Sequence, residues 1–262
     1  MALDGPAEIA FARVSADEER ARAWRHGQHE GVCDIVEPWE HGTVVRATRY
    51  PGYRDFNAVR VERDPALVAT ALAAVADEHL ADAAHRRLDV EIIDVAQRLR
   101  PGFEAMGWMA NRLVWLLHTA PLPPGETARV EEVEYDAVAD LREAWHHEEF
   151  PRVPYGDHAA EKREVSMARA VQVFAVMDGG VPVAFAELER QGDAAEITQV
   201  YVRADRRGGG NGTALTRAAI VAAGEPADLW IIADDEGRPK ELYARLGFRP
   251  AWRMIEFTRL PA

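Results

Sequence analysis

A short segment of this 262-residue chain passes from a strand-like pattern through a glycine-rich turn into a helix-like pattern. The segment, residues 196–212, begins with the β-branched residues Ile197, Val200 and Val202 and then contains four glycines. From Thr213 onward, alanine and leucine recur at helical spacing. In a strand, glycine turn and helix start of this kind, backbone N–H groups point outward at the positive end of the helix. The segment therefore predicts an anion site.

Two well-known phosphate-binding signatures do not fit the segment. A kinase-type or ATPase-type loop needs Lys followed by Ser or Thr after its glycines, whereas Gly212 is followed by Thr213 and Ala214. The dinucleotide fingerprint needs a third glycine where Thr213 stands. The pattern that does fit is Arg-x-x-Gly-x-Gly, formed by Arg207, Gly210 and Gly212. It resembles the acetyl-CoA pyrophosphate loop of the GNAT N-acetyltransferase superfamily.

A second motif follows downstream in a matching frame. Residues 229–233 predict a buried strand, and residues 239–246 predict a short helix with proline in its first turn. The sequence from Tyr243 to Phe248 is Tyr-x-x-Leu-Gly-Phe, which is similar to the other hallmark of the superfamily, and a final strand pair is predicted after it. The resemblance implies an α/β (α+β) fold in which helices flank a mixed, mostly antiparallel sheet.

The first half of the chain contains a degenerate copy of the second. Residues 103–108, Phe-Glu-Ala-Met-Gly-Trp, match residues 243–248, and the same spacing aligns residues 92–94 with residues 232–234. Self-similarity at this length indicates a duplicated domain, the alternative being chance similarity of two α/β segments. We therefore predict two tandem GNAT-like domains, residues 1–120 and 126–262, joined by a proline-rich linker at 121–125. Each domain is expected to have its own mixed, mostly antiparallel sheet flanked by helices.

The two halves differ in the residues that carry chemistry. In place of the glycine loop, the first half has Glu62-Arg63-Asp64-Pro65-Ala66, whose acidic pair would repel a pyrophosphate. In place of Tyr243 it has Phe103, which has no proton to transfer. We expect the first half to have lost cofactor binding and to serve as a scaffold, a substrate wall or a dimer surface.

Composition narrows the class of partner. The 31 basic and 44 acidic residues give a net charge of −13, which argues against a nucleic-acid partner and is compatible with a cationic amine as well as with simple solubility. The single cysteine, Cys33, excludes an internal disulfide, and we expect no metal centre. No secretory signal and no membrane-spanning apolar stretch is recognisable, so the expected compartment is the cytoplasm.

The resemblance also implies roles for individual residues. The pantetheine arm of acetyl-CoA would pair with the main chain of the strand before the loop, the pyrophosphate would lie on the loop, and an acidic residue after the next strand stands where many members have asparagine. The implied cofactor-binding residues are Val200, Tyr201, Val202, Arg207, Gly208, Gly209, Gly210, Asn211, Gly212, Thr213 and Asp235. The alternative for Arg207 is a solvated charge.

Acetyl transfer to an amine needs a base for the amine and a proton for the leaving thiolate. The resemblance implies that Tyr243 is the general acid, the alternative being a packing tyrosine, and that Glu196 is the general base, the alternative being an ordinary exposed strand carboxylate. Other candidates for the base are Glu187 and the cluster His146, His147, Glu148 and Glu149.

The predicted function is acetyl-CoA-dependent N-acetylation of a primary amine on a small molecule or peptide, by a monomer or homodimer. A non-catalytic acyl-CoA-binding or regulatory module is the alternative. Acceptor specificity resides in variable loops without a motif, so the sequence does not name the amine.

Overall fold

The computed structural model describes residues 15–125, 129–151 and 153–260. These ranges contain seven α-helices and eleven strands. The helices are α1 (Ala16–Val32), α2 (Ala69–His79), α3 (Ile93–Ala105), α4 (Ala139–Glu149), α5 (Gly156–Ala168), α6 (Asn211–Ala223) and α7 (Pro239–Arg245). The strands are β1 (Ile35–Trp39), β2 (Gly42–Arg46), β3 (Asn57–Val61), β4 (Arg86–Val90), β5 (Met109–His118), β6 (Val130–Val133), β7 (Gln172–Asp178), β8 (Val181–Gln191), β9 (Ala194–Val202), β10 (Asp228–Asp234) and β11 (Phe248–Arg259).

All eleven strands belong to one sheet, in the order β1-β2-β3-β4-β11-β5-β10-β9-β8-β7-β6. Most neighbours are antiparallel, and the parallel pairs are β3 with β4 and β9 with β10. The predicted mixed, mostly antiparallel architecture flanked by helices is confirmed, but the prediction of a separate sheet in each half is wrong, because all the strands join one sheet. The sequence analysis did not predict β1, whose five residues include a proline.

The centre of the sheet exchanges strands between the two halves of the sequence. Strand β5 precedes the proline-rich linker, yet it lies between β10 and β11, both of which follow the linker. In return, β11 lies between β4 and β5. The predicted final strand pair is therefore wrong: β11 is a single strand of twelve residues that pairs with β5 along most of its length. The division into domains at the linker remains a prediction, and the sheet runs continuously across it.

Helices cover both faces of the sheet. On one face, α2 and α3 pack over β3, β4 and β11, and α6 and α7 pack over β8, β9 and β10. On the other face, α1 packs through Ala21 and Trp24 against the aromatic cluster of Trp115, Trp230 and Trp252. Because α1 belongs to the first half and Trp230 to the second, this cluster joins the halves. Of the helices in the described ranges, none has the length and apolar character needed to cross a membrane.

Candidate active site

The strands β9 and β10 separate part-way along their length. Their parallel pairing joins Ala194–Ile197 of β9 with Asp228–Ile231 of β10 and then ends, although both strands continue. The pairing of β9 with its other neighbour, β8, shifts register between the β8 residues Ala186 and Leu188. From Thr198 onward, therefore, one edge of β9 has main-chain groups that β10 does not pair with. A bound group with its own donors and acceptors could pair there like an added strand.

The corresponding strands of the first half do not separate. Pairing of β3 with β4 continues to Val61 and Val90, and the Glu91 N–H then donates to the Val61 carbonyl at 3.0 Å. The opening present between β9 and β10 is thus closed by backbone hydrogen bonds in the first half. This agrees with the prediction that the first half does not bind the cofactor.

The glycine loop leads from β9 directly into the N-terminus of α6. Gly208 and Gly210 have φ angles of +80° and +82°, a region that glycine occupies without strain. Gly210 is the N-cap residue, and no side chain caps the helix. In the described structure, no partner accepts from the N–H groups of residues 208–213. No side chain closes the turn at Gly208 or Gly210, where an added Cβ would meet nothing within 4 Å.

Arg207, at the start of the loop, contacts a carboxylate. Its guanidinium lies 2.5 Å from Glu148 Oε2 at the end of α4, while its Nε donates to the Val202 carbonyl. The Tyr201 hydroxyl donates to the other oxygen of Glu148 at 2.6 Å. The Arg207 and Glu148 side chains are 52% and 39% exposed, so the pair is a weak surface ion pair that an incoming phosphate could replace.

Tyr243 lies on α7 with only 6% of its surface exposed, and it lines a cavity of about 440 Å³. Burial raises the pKa of its phenol well above the usual value, so it remains protonated at neutral pH. The equivalent residue of the first half, Phe103, is stacked on Phe257 at 4.3 Å inside the hydrophobic core. Tyr243 also belongs to a hydrophobic core cluster, so the two positions differ in residue type and in that Tyr243, unlike Phe103, lines the cavity.

Glu196 is buried on β9 and lines the same cavity, which contradicts the alternative of an exposed strand carboxylate. Two residues of α1 donate to its Oε2 atom: the Trp24 indole at 2.5 Å and the Gln28 amide at 2.9 Å. Its Oε1 atom accepts no hydrogen bond within the described ranges. Burial raises the pKa of Glu196, and the bonds from Trp24 and Gln28 oppose that rise. A carboxylate with a raised pKa and one free oxygen suits a proton acceptor near neutral pH.

The cavity is lined by both halves of the chain. The first half contributes Arg25 and Gln28 from α1, the turn at residues 53–56, and parts of β4 and β5. The second half contributes α5 and the central parts of β8, β9 and β10. The predicted residues Glu196, Val200 and Tyr243 come together here, although they belong to different elements.

Of the other candidate bases, Glu149 also lines the cavity, and burial raises its pKa. Glu187, His146 and His147 are placed less favourably. Glu187 lines the cavity, but Arg142 holds its carboxylate at 2.9 Å and Lys162 lies 3.7 Å away. His146 is buried with its Nε2 bonded to the Val153 carbonyl, and burial lowers its pKa. His147 is exposed beside Glu143.

Two further lining residues were not singled out from the sequence. Glu189 forms an ion pair with Arg169, and burial raises its pKa to about 7. It follows Glu187 by two residues on β8, so strand alternation places both carboxylates on one face and could have indicated Glu189. Lys162 contacts Gln199, and nothing in its helical segment distinguishes it.

The Asp235 carboxylate contacts cationic side chains, and Asp235 does not line the cavity. Its carboxylate lies within 3.2 Å of Arg112, Lys240 and Arg253. Burial would raise its pKa, but Arg253 and Lys240 hold that pKa below the usual value. The neighbouring Asp234 lines the cavity instead. Contact of Asp235 with a pantetheine arm was predicted from the resemblance alone, and its ion pairs would have to rearrange to allow it.

No metal centre was expected, but the described residues include one cluster of potential metal ligands. His26, Glu62 and Glu91 have ligand atoms within 4.8 Å of one another, away from the cavity. Glu62 forms an ion pair with Arg60, and Glu91 forms pairs with His26 and Arg22. Because cationic side chains already balance these carboxylates, the cluster carries no argument for a metal.

Comparison with known proteins identifies the region that contains the glycine loop. Residues 169–250 match the family described as "Acetyltransferase (GNAT) domain". This region is a GNAT domain. It includes β9, the glycine loop, α6 and Tyr243, and therefore both motifs found in the sequence. No curated protein matches the chain at a significant level.

Solved structures share the fold over most of the chain. A functionally unknown conserved protein from Staphylococcus epidermidis has a TM-score of 0.62 at 11% identity, covering 88% of this chain and 95% of that one. A GCN5-related N-acetyltransferase from Kribbella flavida has a TM-score of 0.57 at 17% identity, covering 95% and 97%. A GCN5-related N-acetyltransferase from Sphaerobacter thermophilus has a TM-score of 0.50 at 18% identity, covering 73% and 67%. At these identities the likeness is one of fold, and it extends beyond the matched GNAT region.

Proposed function

We propose that this chain is an acetyl-CoA-dependent N-acetyltransferase that acts on a primary amine. The observation that carries the proposal is that the opening between β9 and β10 leads into one cavity with Glu196 and Tyr243 on its walls. In this proposal the opening is the donor site, Glu196 the proton acceptor and Tyr243 the proton donor, all within the region that matches the GNAT domain family.

The residues at the opening fit the donor. The unpaired edge of β9 from Thr198 to Val202 would hold the pantetheine arm, and the N–H groups of residues 208–213 would hold the pyrophosphate at the positive end of α6. Arg207 would exchange Glu148 for a phosphate oxygen. When bound, acetyl-CoA supplies a thioester whose acetyl group passes to the amine.

The proton transfers are assigned to two side chains. Glu196 Oε1 takes a proton from the ammonium form of the acceptor, because only a neutral amine is nucleophilic. The Tyr243 hydroxyl holds a proton for the departing sulfur, and burial keeps that proton in place until it is needed. Glu196 then releases its proton to solvent. The second proton that the nitrogen loses as the amide forms replaces the one that Tyr243 gave to sulfur, so both groups regain their starting states and one proton is released per turnover.

A thiol-release assay over a panel of primary amines, combined with calorimetric titration of acetyl-CoA, tests the proposal. The expected result is acetyl-CoA binding together with amine-dependent thiol release. Binding without release for any amine would support a non-catalytic acyl-CoA-binding module. Absence of binding would overturn the assignment of the donor site.

A further inference from the structure

The cavity contains a buried arginine that has no carboxylate partner. Arg54 lies in the turn between β2 and β3, is 8% exposed and lines the cavity. Its guanidinium is placed over the Phe150 ring, 3.9 Å from the ring centre. It makes neither a hydrogen bond nor an ion pair within 4 Å to any residue in the described ranges. Burying a charge without such a partner is unfavourable, which suggests that a ligand supplies the missing anion.

The other cations of the cavity wall are already paired. Arg87 contacts Asp55 at 2.7 Å, and Arg25 lies 3.5 Å from Asp89. The remaining two cations are also paired: Lys162 with Glu187, and Arg169 with Glu189. Arg87 is shared by Asp55, Asp89 and Glu256, and none of these carboxylates lies within 4 Å of the Arg54 guanidinium. The hydrogen-bond donors of Arg54 are therefore left for an incoming group.

Among the buried carboxylates of the wall, Glu196 is the counterpart of Arg54. The donors that reach Glu196, Trp24 and Gln28, are both neutral, and no cation of the described structure lies within ion-pair distance of it. Among the described residues of the wall, Glu196 and Arg54 are thus a buried anion and a buried cation with no oppositely charged group within ion-pair distance. A ligand with one ammonium and one oxyanion would supply a partner of opposite charge to both Glu196 and Arg54.

We propose that Arg54 binds an oxyanion of the acceptor, so that the acceptor is a small zwitterionic amine bearing a carboxylate or a phosphate. This inference rests on the proposed function. The planar guanidinium donates two parallel hydrogen bonds to either oxyanion, which fixes the acceptor while its ammonium lies at Glu196. Arg54, supplied by the first half, is then a specificity-determining residue for a reaction carried out by the second.

The test compares three acceptors of equal chain length: an aminoalkyl carboxylate, an aminoalkyl phosphate and an aminoalkyl alcohol. The wild type is expected to prefer one or both anionic amines. Arg54→Gln is expected to lower kcat/KM for those amines about 10- to 100-fold, mainly through KM, and to leave the alcohol unchanged. Arg54→Lys should recover part of the loss. Arg163→Gln is the matched control, because Arg163 is half exposed and paired with Asp136 outside the cavity.

Two results would overturn the inference: a wild-type preference for the alcohol, or an equal loss for all three amines in Arg54→Gln. The relative activity on carboxylate and phosphate identifies the oxyanion. Calorimetry of the anionic amines with the CoA-saturated protein provides a second measurement that does not need turnover. Arg54-dependent binding without turnover would support the anion site while the proposed reaction fails, and absence of binding there would reject the site.

Discussion

The Trp24 indole N–H donates to Glu196 Oε2 at 2.5 Å, across 172 positions of sequence. Trp24 belongs to α1 of the first half, and Glu196 belongs to β9 of the GNAT domain. With the Gln28 amide on the same oxygen, the contact fixes the carboxylate and leaves Oε1 toward the cavity. The first half thus positions the residue that we assign as the base.

Replacing Trp24 with Phe should shift the pH dependence of catalysis. The hydrogen bond from Trp24 lowers the pKa of Glu196, so its loss raises that pKa further and moves the acid limb of kcat/KM to higher pH. A lost bond to a buried charge corresponds to a shift of about one pH unit. Trp252→Phe is the control, because its indole donates to the Glu91 carbonyl in the same aromatic cluster. An unchanged pH profile in Trp24→Phe would remove Glu196 as the titrating base.

Replacing Tyr243 with Phe removes one hydroxyl from the cavity wall. We expect kcat to fall by roughly 100-fold or more, the contribution typical of a general acid, while the Kd of acetyl-CoA stays the same. Because burial raises the pKa of the phenol, the wild-type activity should show no loss from Tyr243 up to at least the ordinary tyrosine pKa of about 10. Stopped-flow turnover and calorimetry measure the two effects separately. An equal loss in turnover and binding would contradict the acid role.

Alanine substitutions at two adjacent glycines of the loop should have different effects on acetyl-CoA binding. Gly210 has a φ of +82°, where a Cβ costs about 1–2 kcal/mol, so Gly210→Ala should distort the start of α6 and weaken acetyl-CoA binding about 10-fold. Gly209 is not left-handed, and its added Cβ would approach the Arg206 carbonyl only to 3.9 Å. Gly209→Ala is therefore the matched control. Similar affinities for the two variants would show that the turn geometry does not determine binding.

In the proposed function, Glu148 would compete with the cofactor pyrophosphate for Arg207. Glu148→Gln should free the guanidinium and tighten acetyl-CoA binding up to about fivefold, which is the range expected for a largely exposed ion pair. Glu143→Gln on the same helix, where Glu143 pairs with the exposed His147, controls for the change in net charge. Weaker binding in Glu148→Gln would indicate instead that Glu148 holds Arg207 in its binding position.

The sequence predicted the local features of the site well. The glycine loop, the start of α6 and the Tyr243 motif depend on residues close together in the chain, and their patterns indicate structure directly. Contacts between distant elements left no such pattern. Nothing near Glu196 in the sequence indicates that Trp24 reaches it. Arg54 stands out only because no carboxylate of the described residues lies within ion-pair distance of it. The strand exchange was missed for the same reason, since β5 and β11 have apolar patterns that suit either half.

The exchange of β5 and β11 has a consequence for how the molecule can be divided. If the chain were cut at the proline-rich linker, each fragment would still carry a strand that belongs in the other's sheet, so the pieces should remain associated without a peptide bond. Expressed alone, either fragment would leave three strand edges without their partners: both edges of the exchanged strand, and one edge of β4 in the first fragment or of β10 in the second. An ancestor with one copy of the unit would meet the same requirement by trading this strand with an identical neighbour, and fusion of the two genes would then make the trade internal.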